Sequence, residues 1–285
     1  HRRLRAAGSA SRAPRNTVRL QTLGRPVVSD RGVVRVERKE TTVTITIDRP
    51  QARNALTWAM YEQLDAALDR LDPDDGVRVA VLRGAGGTFA SGTDIAQFRD
   101  FTGPDDGLAY ERRLDTIVAK LEAARVPTVA VIEGVAAGAG LVLAAACDLR
   151  IATPDARFGV PIARTVGNCL SMANTARLVA HLGPSRAAAM LLAAEFIDAS
   201  EALGAGFVAA LVEPGELDSQ VSALCDRLAA HAPVTLQVTK EAIRRIVAAS
   251  AATGDDLVRR AYGSRDFREG VNAFMEKRAP RWEGR

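Results

Sequence analysis

Two glycine-rich stretches hold most of the chemistry legible in this sequence: Gly84-Ala85-Gly86-Gly87-Thr88-Phe89-Ala90-Ser91-Gly92-Thr93-Asp94 and Gly134-Val135-Ala136-Ala137-Gly138-Ala139-Gly140. Each follows an apolar run that reads as a buried strand. Each could present unpaired backbone N–H groups where a helix begins, a place that favours negative charge. Neither continues into Gly-Lys-Ser/Thr as a P-loop does, and neither has the glycine spacing of a dinucleotide fold. Taken alone, the glycines read first as a pair of tight turns. Asp94, Glu111 and Glu133 are the acids near these loops and the candidates for proton transfer. Asp94 precedes Ile95-Ala96-Gln97-Phe98, where aspartate also serves as a helix N-cap. Cys169, in Val166-Gly167-Asn168-Cys169, is a nucleophile if a cation such as Arg164 lowers its pKa, and otherwise a small buried residue. His181 and His231 each follow an alanine-rich helical run and read as helix ends, so no Ser-His-Asp triad is indicated. The three cysteines, Cys147, Cys169 and Cys225, stand far apart, which argues against a zinc knuckle or disulfide framework. No metal is expected.

These residues need a scaffold, and the sequence supplies an alternating one. Thr41–Asp48 sets Val43, Ile45 and Ile47 on one side and threonines on the other, the pattern of a half-buried strand. Met60, Leu64, Leu68 and Leu71 share a helical face that stops at Asp72-Pro73. Val77–Leu82 reads as strand, Gly107–Ala124 as helix, Thr128–Ile132 as strand, Gly138–Ala146 as helix and Asp148–Ala152 as strand. Such spacing suits right-handed crossovers and a largely parallel buried sheet. After Pro184 the pattern turns helical, with Leu217, Val221, Leu224 and Leu228 on one face and further helices over 234–252 and 265–278. No internal repeat is visible.

The net charge of +4 is a property of the N-terminus. Residues 1–29 hold seven arginines and no acid, and the 38 basic groups less these seven leave 31 against 34 acidic ones. A nucleic-acid-binding face is therefore not expected. The leader reads as a flexible extension, with an arginine-rich transit peptide as the alternative. The longest uncharged apolar stretch, Gly134–Cys147, spans 14 residues. A membrane helix needs about 20, so no membrane partner is expected and the localisation is read as cytoplasmic.

The surroundings of the two glycine stretches resemble the crotonase (enoyl-CoA hydratase/isomerase) family, in order along the chain. IDRPQARNAL (Ile47–Leu56) is similar to its first strand-to-helix turn, and FASGTDI (Phe89–Ile95) to its first oxyanion loop. VPTVAVIEGVAAGAGLVLAAACDLRIA (Val126–Ala152) is similar to its second loop and the following helix. FGVP (Phe158–Pro161), FIDASEALGAGFV (Phe196–Val208) and EGVNAFMEKRAPRW (Glu269–Trp282) complete a likeness spanning residues 33 to 282. The fold this implies is α/β: a crotonase-like ββα spiral core over 32–213, after the extension 1–31, with a helical C-terminal trimerisation region over 214–285.

The resemblance implies that a thioester carbonyl lies between two backbone N–H donors, Thr93 and Ala139, with Ala90, Gly138 and Gly140 forming the loops around it. It places CoA near Arg53, Phe274 and Lys277, with CoA as part of the substrate and no separate cofactor. It implies a homotrimer or dimer of trimers. The family's two catalytic glutamates fall at Val142 and Ile162, and neither side chain moves a proton. The segment Ile162–Asn174 carries one residue more than the family spacing before Gly167. Cys169 lies where dehalogenase relatives carry a nucleophilic aspartate. The chain is thus expected to be an acyl-CoA enzyme without the two-glutamate machinery, or else a non-catalytic acyl-CoA carrier or sensor.

Overall fold

A strand that alternates apolar and polar residues has one wet face, and one that is apolar throughout lies between two layers. Both kinds occur in the computed structural model, which describes residues 32–249 and 253–284. The basic segment 1–31 lies outside the described residues. The strands are β1 (Val33–Lys39), β2 (Thr42–Asp48), β3 (Val79–Gly84), β4 (Thr128–Ile132), β5 (Val135–Ala137), β6 (Leu149–Ala152), β7 (Arg157–Gly159), β8 (Phe196–Asp198) and β9 (Ala210–Leu211). The helices are α1 (Trp58–Leu68), α2 (Pro104–Glu122), α3 (Ala139–Ala146), α4 (Ile162–Thr165), α5 (Met172–Leu192), α6 (Ala199–Gly204), α7 (Leu217–Ala230), α8 (Pro233–Ala248), α9 (Asp255–Tyr262) and α10 (Arg265–Met275).

The larger sheet runs β1-β2-β3-β4-β6-β9, parallel except for the antiparallel edge pair β1/β2. β2 buries Val43, Ile45 and Ile47 and leaves its threonines half-buried, as its alternation requires. The interior strands bury both faces. Ala80, Leu82, Ala130 and Ile132 join the main core with α1, α2 and α3, while Val79, Val81, Val129 and Val131 meet Leu217, Val221 and Cys225 of α7. β1 is absent from the sequence reading because it is an edge strand with Val34 as its one fully buried residue.

A smaller sheet, β5-β7-β8, lies beside the first. Isolated parallel bridges, Leu56 with Thr93 and Ala90 with Ala136, continue that inner layer. A repeated path results: β2, Leu56 and α1; β3, Ala90 and α2; β4, β5 and α3; β6, β7 and α4–α5. This is the ββα spiral. It is a repeat of backbone geometry with no counterpart in side-chain identity, hence its invisibility in the sequence.

Helix α5 starts at Ser171, whose side chain caps Asn174 N–H, well before Pro184. Gly183 (φ 76, ψ 161) kinks it so that Pro184 opens the second half. His181 therefore stands just before that kink, and its ring bonds the Ala145 carbonyl at 3.0 Å. His231 is the C-cap of α7. At the C-terminus, α9 and α10 fold back onto the core, with Tyr262, Phe267 and Val271 buried in it.

Candidate active site

The first wall begins with a tight turn. Pro50–Ala52 forms a 3-10 turn, and Arg53 and Asn54 both adopt left-handed backbone (φ 51 and 57). Asparagine tolerates that conformation better than most residues. The fully buried Asn54 side chain then uses its polar atoms: Oδ1 accepts Arg49 N–H at 2.8 Å, and Nδ2 donates to Ala85 O and Thr88 O at 2.9 and 2.6 Å. One amide thus bolts the first glycine loop to the end of β2. Further along, Ser91 N–H donates to Arg53 O, Leu56 N–H to Gly92 O and Asp94 N–H to Leu56 O. These bonds bracket Thr93. In an extended segment successive N–H groups alternate sides, so the Thr93 N–H is turned away from Leu56.

The second loop enters α3 at Gly138, whose φ of 52 and ψ of −125 suit glycine alone. Its N–H donates to Gly159 O at 3.0 Å, and its carbonyl accepts Val142 N–H at 3.1 Å. Ala139 is the first helical residue and has no intrahelical acceptor. Its φ is not among the positive ones, so alanine is accommodated there without strain. Gly140 packs so closely on the first loop that a Cβ there would sit 2.3 Å from Ala90 O. A Cβ on Gly92 would lie 3.7 Å from Ala139 N. The two loops are therefore in contact, and among the described residues neither the Thr93 nor the Ala139 N–H donates to a protein acceptor.

Both line a cavity of about 610 Å³, together with Arg53, Asp94, Glu111, Gly138, Ile162 and Phe274. Six other candidates, Glu133 among them, are off its wall. Ala90 and Gly140 are the packed seam between the loops. Val142 is fully buried on α3, every residue of which is buried. Lys277 lies beyond the end of α10 with φ 53, exposed. The Cys169 thiol points towards Leu257 O at 3.9 Å, and burial first, then the charge of Glu111, pushes its pKa up to about 12. The thiolate that nucleophilic attack requires is thus disfavoured, and Arg164 does not contribute.

The acids divide sharply. Asp94 caps the 3-10 helix Ile95–Asp100 through Ala96 N–H at 3.1 Å, and its other oxygen holds Arg49 at 2.8 Å. Glu133 is off the wall and pairs with Arg83 at 3.2 Å. Glu111 is 2% exposed and reaches the cavity from α2. Its Oε1 accepts Tyr262 O–H at 2.6 Å, and its Oε2 accepts Ser171 N–H, at the start of α5, at 3.0 Å. Burial is the main reason that its pKa rises from 4.5 to about 8, with nearby Asp115 adding to the shift and the two hydrogen bonds opposing it.

Sequence reasoning missed the hydroxyls around this acid. Tyr61 O–H lies 2.6 Å from Thr93 Oγ1, which lies 2.7 Å from Tyr110 O–H. Burial holds both phenols protonated well above neutrality. Asn168 Nδ2 donates to Tyr262 Oη at 2.9 Å. The adjacent Tyr110-Glu111 pair in a helix was the available signal. The rest depends on α9 returning to α2, which no local pattern announces.

A family model for enoyl-CoA hydratase/isomerase matches residues 37–285. The 2,3-dehydroadipyl-CoA hydratase of Escherichia coli is 33% identical over 255 residues, covering 88% of this chain and 98% of that protein. An enoyl-CoA hydratase/carnithine racemase from Magnetospirillum magneticum superposes with a TM-score of 0.72 at 30% identity, over 88% of this chain and 96% of that one. A methylmalonyl-CoA decarboxylase in complex with 2-nitronate-propionyl-CoA superposes with a TM-score of 0.80 at 26% identity, over 88% and 98%. Coverage of this extent joins the sequence likeness, the ββα spiral and the paired loops in one conclusion: the chain belongs to the crotonase family of enoyl-CoA hydratases and isomerases, proteins that act on CoA thioesters.

Proposed function

We propose that this protein is an acyl-CoA enzyme that polarises a thioester carbonyl between the N–H groups of Thr93 and Ala139 and does not use the two-glutamate machinery of classical hydratases. The observation carrying this reading is a pair of N–H donors without protein acceptors among the described residues, on touching loops and on two residues that line one cavity. Preorganised donors of this kind stabilise an enolate-like oxygen at no cost in reorganisation. Val142 and Ile162 stand where the family pattern has its glutamates, so proton transfer, lyase or isomerase, falls to another group. A passive acyl-CoA carrier is disfavoured by the presence of a titratable carboxyl, Glu111, on the same wall.

In this reading the acyl chain occupies the cavity, and the CoA phosphates approach the exposed Arg53 guanidinium. Phe274, on the wall, and Lys277, beyond α10, would then serve the nucleotide or a neighbouring subunit. A homotrimer or dimer of trimers accords with apolar side chains left exposed along α8, Val234, Val238, Ile243 and Ile246 among them. No helix among the described residues is long and apolar enough to cross a membrane, and a cytoplasmic site of action accords with that. Calorimetry with crotonyl-CoA and a medium-chain acyl-CoA tests the proposal. Saturable binding that weakens with salt is expected, and failure of every acyl-CoA tried overturns it.

A further inference from the structure

Two acids line the cavity, Asp94 and Glu111. Asp94 has one oxygen on Arg49 and the other on a backbone N–H, so it is spent on structure. Glu111 is held differently. Its two oxygens each accept one hydrogen bond, from Tyr262 and from Ser171 N–H, which leaves further lone-pair positions on a carboxylate group with about four. The Tyr262 hydroxyl donates to Glu111, and its oxygen accepts from Asn168 Nδ2. That fixes the amide and leaves Asn168 Oδ1 as a buried acceptor without a partner, in a residue that itself lines the cavity. Unpaired buried acceptors of this kind are few in native structures. The neighbouring Tyr110 ties this part of α2 to the Thr93 loop through its hydroxyl. One carboxyl is thus oriented by the start of α5 and by α9, on the wall of the cavity that Thr93 and Ala139 also line.

We propose that Glu111 is the proton-transferring group of this site, taking a proton from the α-carbon of the bound acyl thioester and returning it. The inference rests on the proposed polarisation by Thr93 and Ala139. In the step, the α C–H bond breaks and the proton passes to a Glu111 oxygen. The electron pair enters the bond to the carbonyl carbon, and the charge collects on the thioester oxygen beneath the two N–H groups. The reverse step gives a proton back to carbon, and no oxidant or co-reactant is needed. Tyr262 and Ser171 are positioning residues, because they hold the carboxylate without meeting the substrate.

Deuterium exchange into the α-position of butyryl-CoA in D₂O, followed by mass spectrometry, isolates this step from hydration. The unmodified protein is expected to catalyse exchange, and Glu111→Gln to lose it by about 10² or more while still binding butyryl-CoA. Exchange by a folded Glu111→Gln protein at the original rate overturns the proposal. So does an unmodified protein that binds and polarises the thioester yet exchanges nothing, whereas absence of binding sinks the polarisation reading itself. The pH profile supplies a second arm that does not need the glutamine variant to fold. The groups facing Glu111 are Tyr61 from α1, Tyr110 and Asp115 from α2, Cys169 from the segment before α5, and Tyr262 from α9. Exchange should rise with pH as Glu111 ionises. Tyr262→Phe, which removes the hydroxyl bound to Oε1, should move that rise to higher pH. An unmoved profile contradicts the proposal.

Discussion

The Thr93 hydroxyl lies 2.7 Å from the Tyr110 hydroxyl, so one residue of the cavity wall is tied directly to the neighbour of that wall's buried acid, Glu111. The same Thr93 oxygen meets Tyr61 at 2.6 Å. Thr93→Val removes both bonds and keeps the N–H. The expected result is a loss of about 1–3 kcal/mol in chemical denaturation, since two buried phenols lose a partner, with the carbonyl infrared shift of bound thioester retained. A lost shift in the folded variant would mean that the side chain, rather than the main chain, polarises the carbonyl.

Asn54 bonds four backbone groups of the first loop and its approach. Asn54→Ala should therefore cost about 2–4 kcal/mol and weaken acyl-CoA binding as well, because the loop that presents Thr93 is released. Calorimetric unfolding and binding isotherms check both. Wild-type affinity with reduced stability would separate the turn from the site.

Glu111 also leaves a mark on stability. Its pKa is raised on folding from 4.5 to about 8, so the folded state binds more protons than the unfolded one between those values. The stability it contributes is present below pH 4.5 and is lost as pH rises through about 8. Each unit corresponds to about 1.4 kcal/mol, which bounds the loss at about 5 kcal/mol. Glu111→Gln should flatten this decline. His181, whose pKa burial lowers to about 4, acts oppositely: its contribution is lost as pH falls from 6.5 towards 4. Equal slopes for the unmodified and Glu111→Gln proteins from pH 5 to 8 would contradict the assigned environment.

What the sequence disclosed and what it hid have physical causes. β4 was legible from Thr128 to Ile132 because a strand buried on both faces is an unbroken apolar run between Pro127 and Glu133. The two loops were legible because Gly138 needs a positive φ and Gly140 an unobstructed approach, constraints that leave glycine in the sequence. The hydroxyls around Glu111 were not, since Tyr262 stands 151 residues away. Its role depends on α9 packing on α2, a long-range contact with no local periodicity. Val142 illustrates the converse. Motif spacing placed it in the site, while packing on an all-buried helix keeps its side chain off the wall.

Hydration of crotonyl-CoA should be slow. Loss of a positioned acid or base costs about 10² to 10⁴ in rate, and neither Val142 nor Ile162 carries one. Val142→Glu is expected to destabilise the fold by about 3 kcal/mol or more, because residue 142 is fully buried and a carboxyl there lacks a partner. Decay of the conjugated thioester absorbance, compared with a classical hydratase under the same conditions, checks the first statement. An ordinary hydratase rate would show that one carboxyl suffices for the full reaction.

The most direct measurement is the infrared carbonyl frequency of crotonyl-CoA, labelled with ¹³C at the thioester carbon, bound to the unmodified protein and to Ala139→Pro. Ala139 is the first residue of α3, the helical position that best accepts proline, so the substitution deletes one N–H with little demand on the helix. Polarisation between Thr93 and Ala139 predicts a carbonyl band shifted to lower frequency in the unmodified protein. In a folded Ala139→Pro protein that still binds crotonyl-CoA, most of that shift should vanish. A band at its solution frequency in the unmodified protein, or an undiminished shift in the proline variant, would contradict the account.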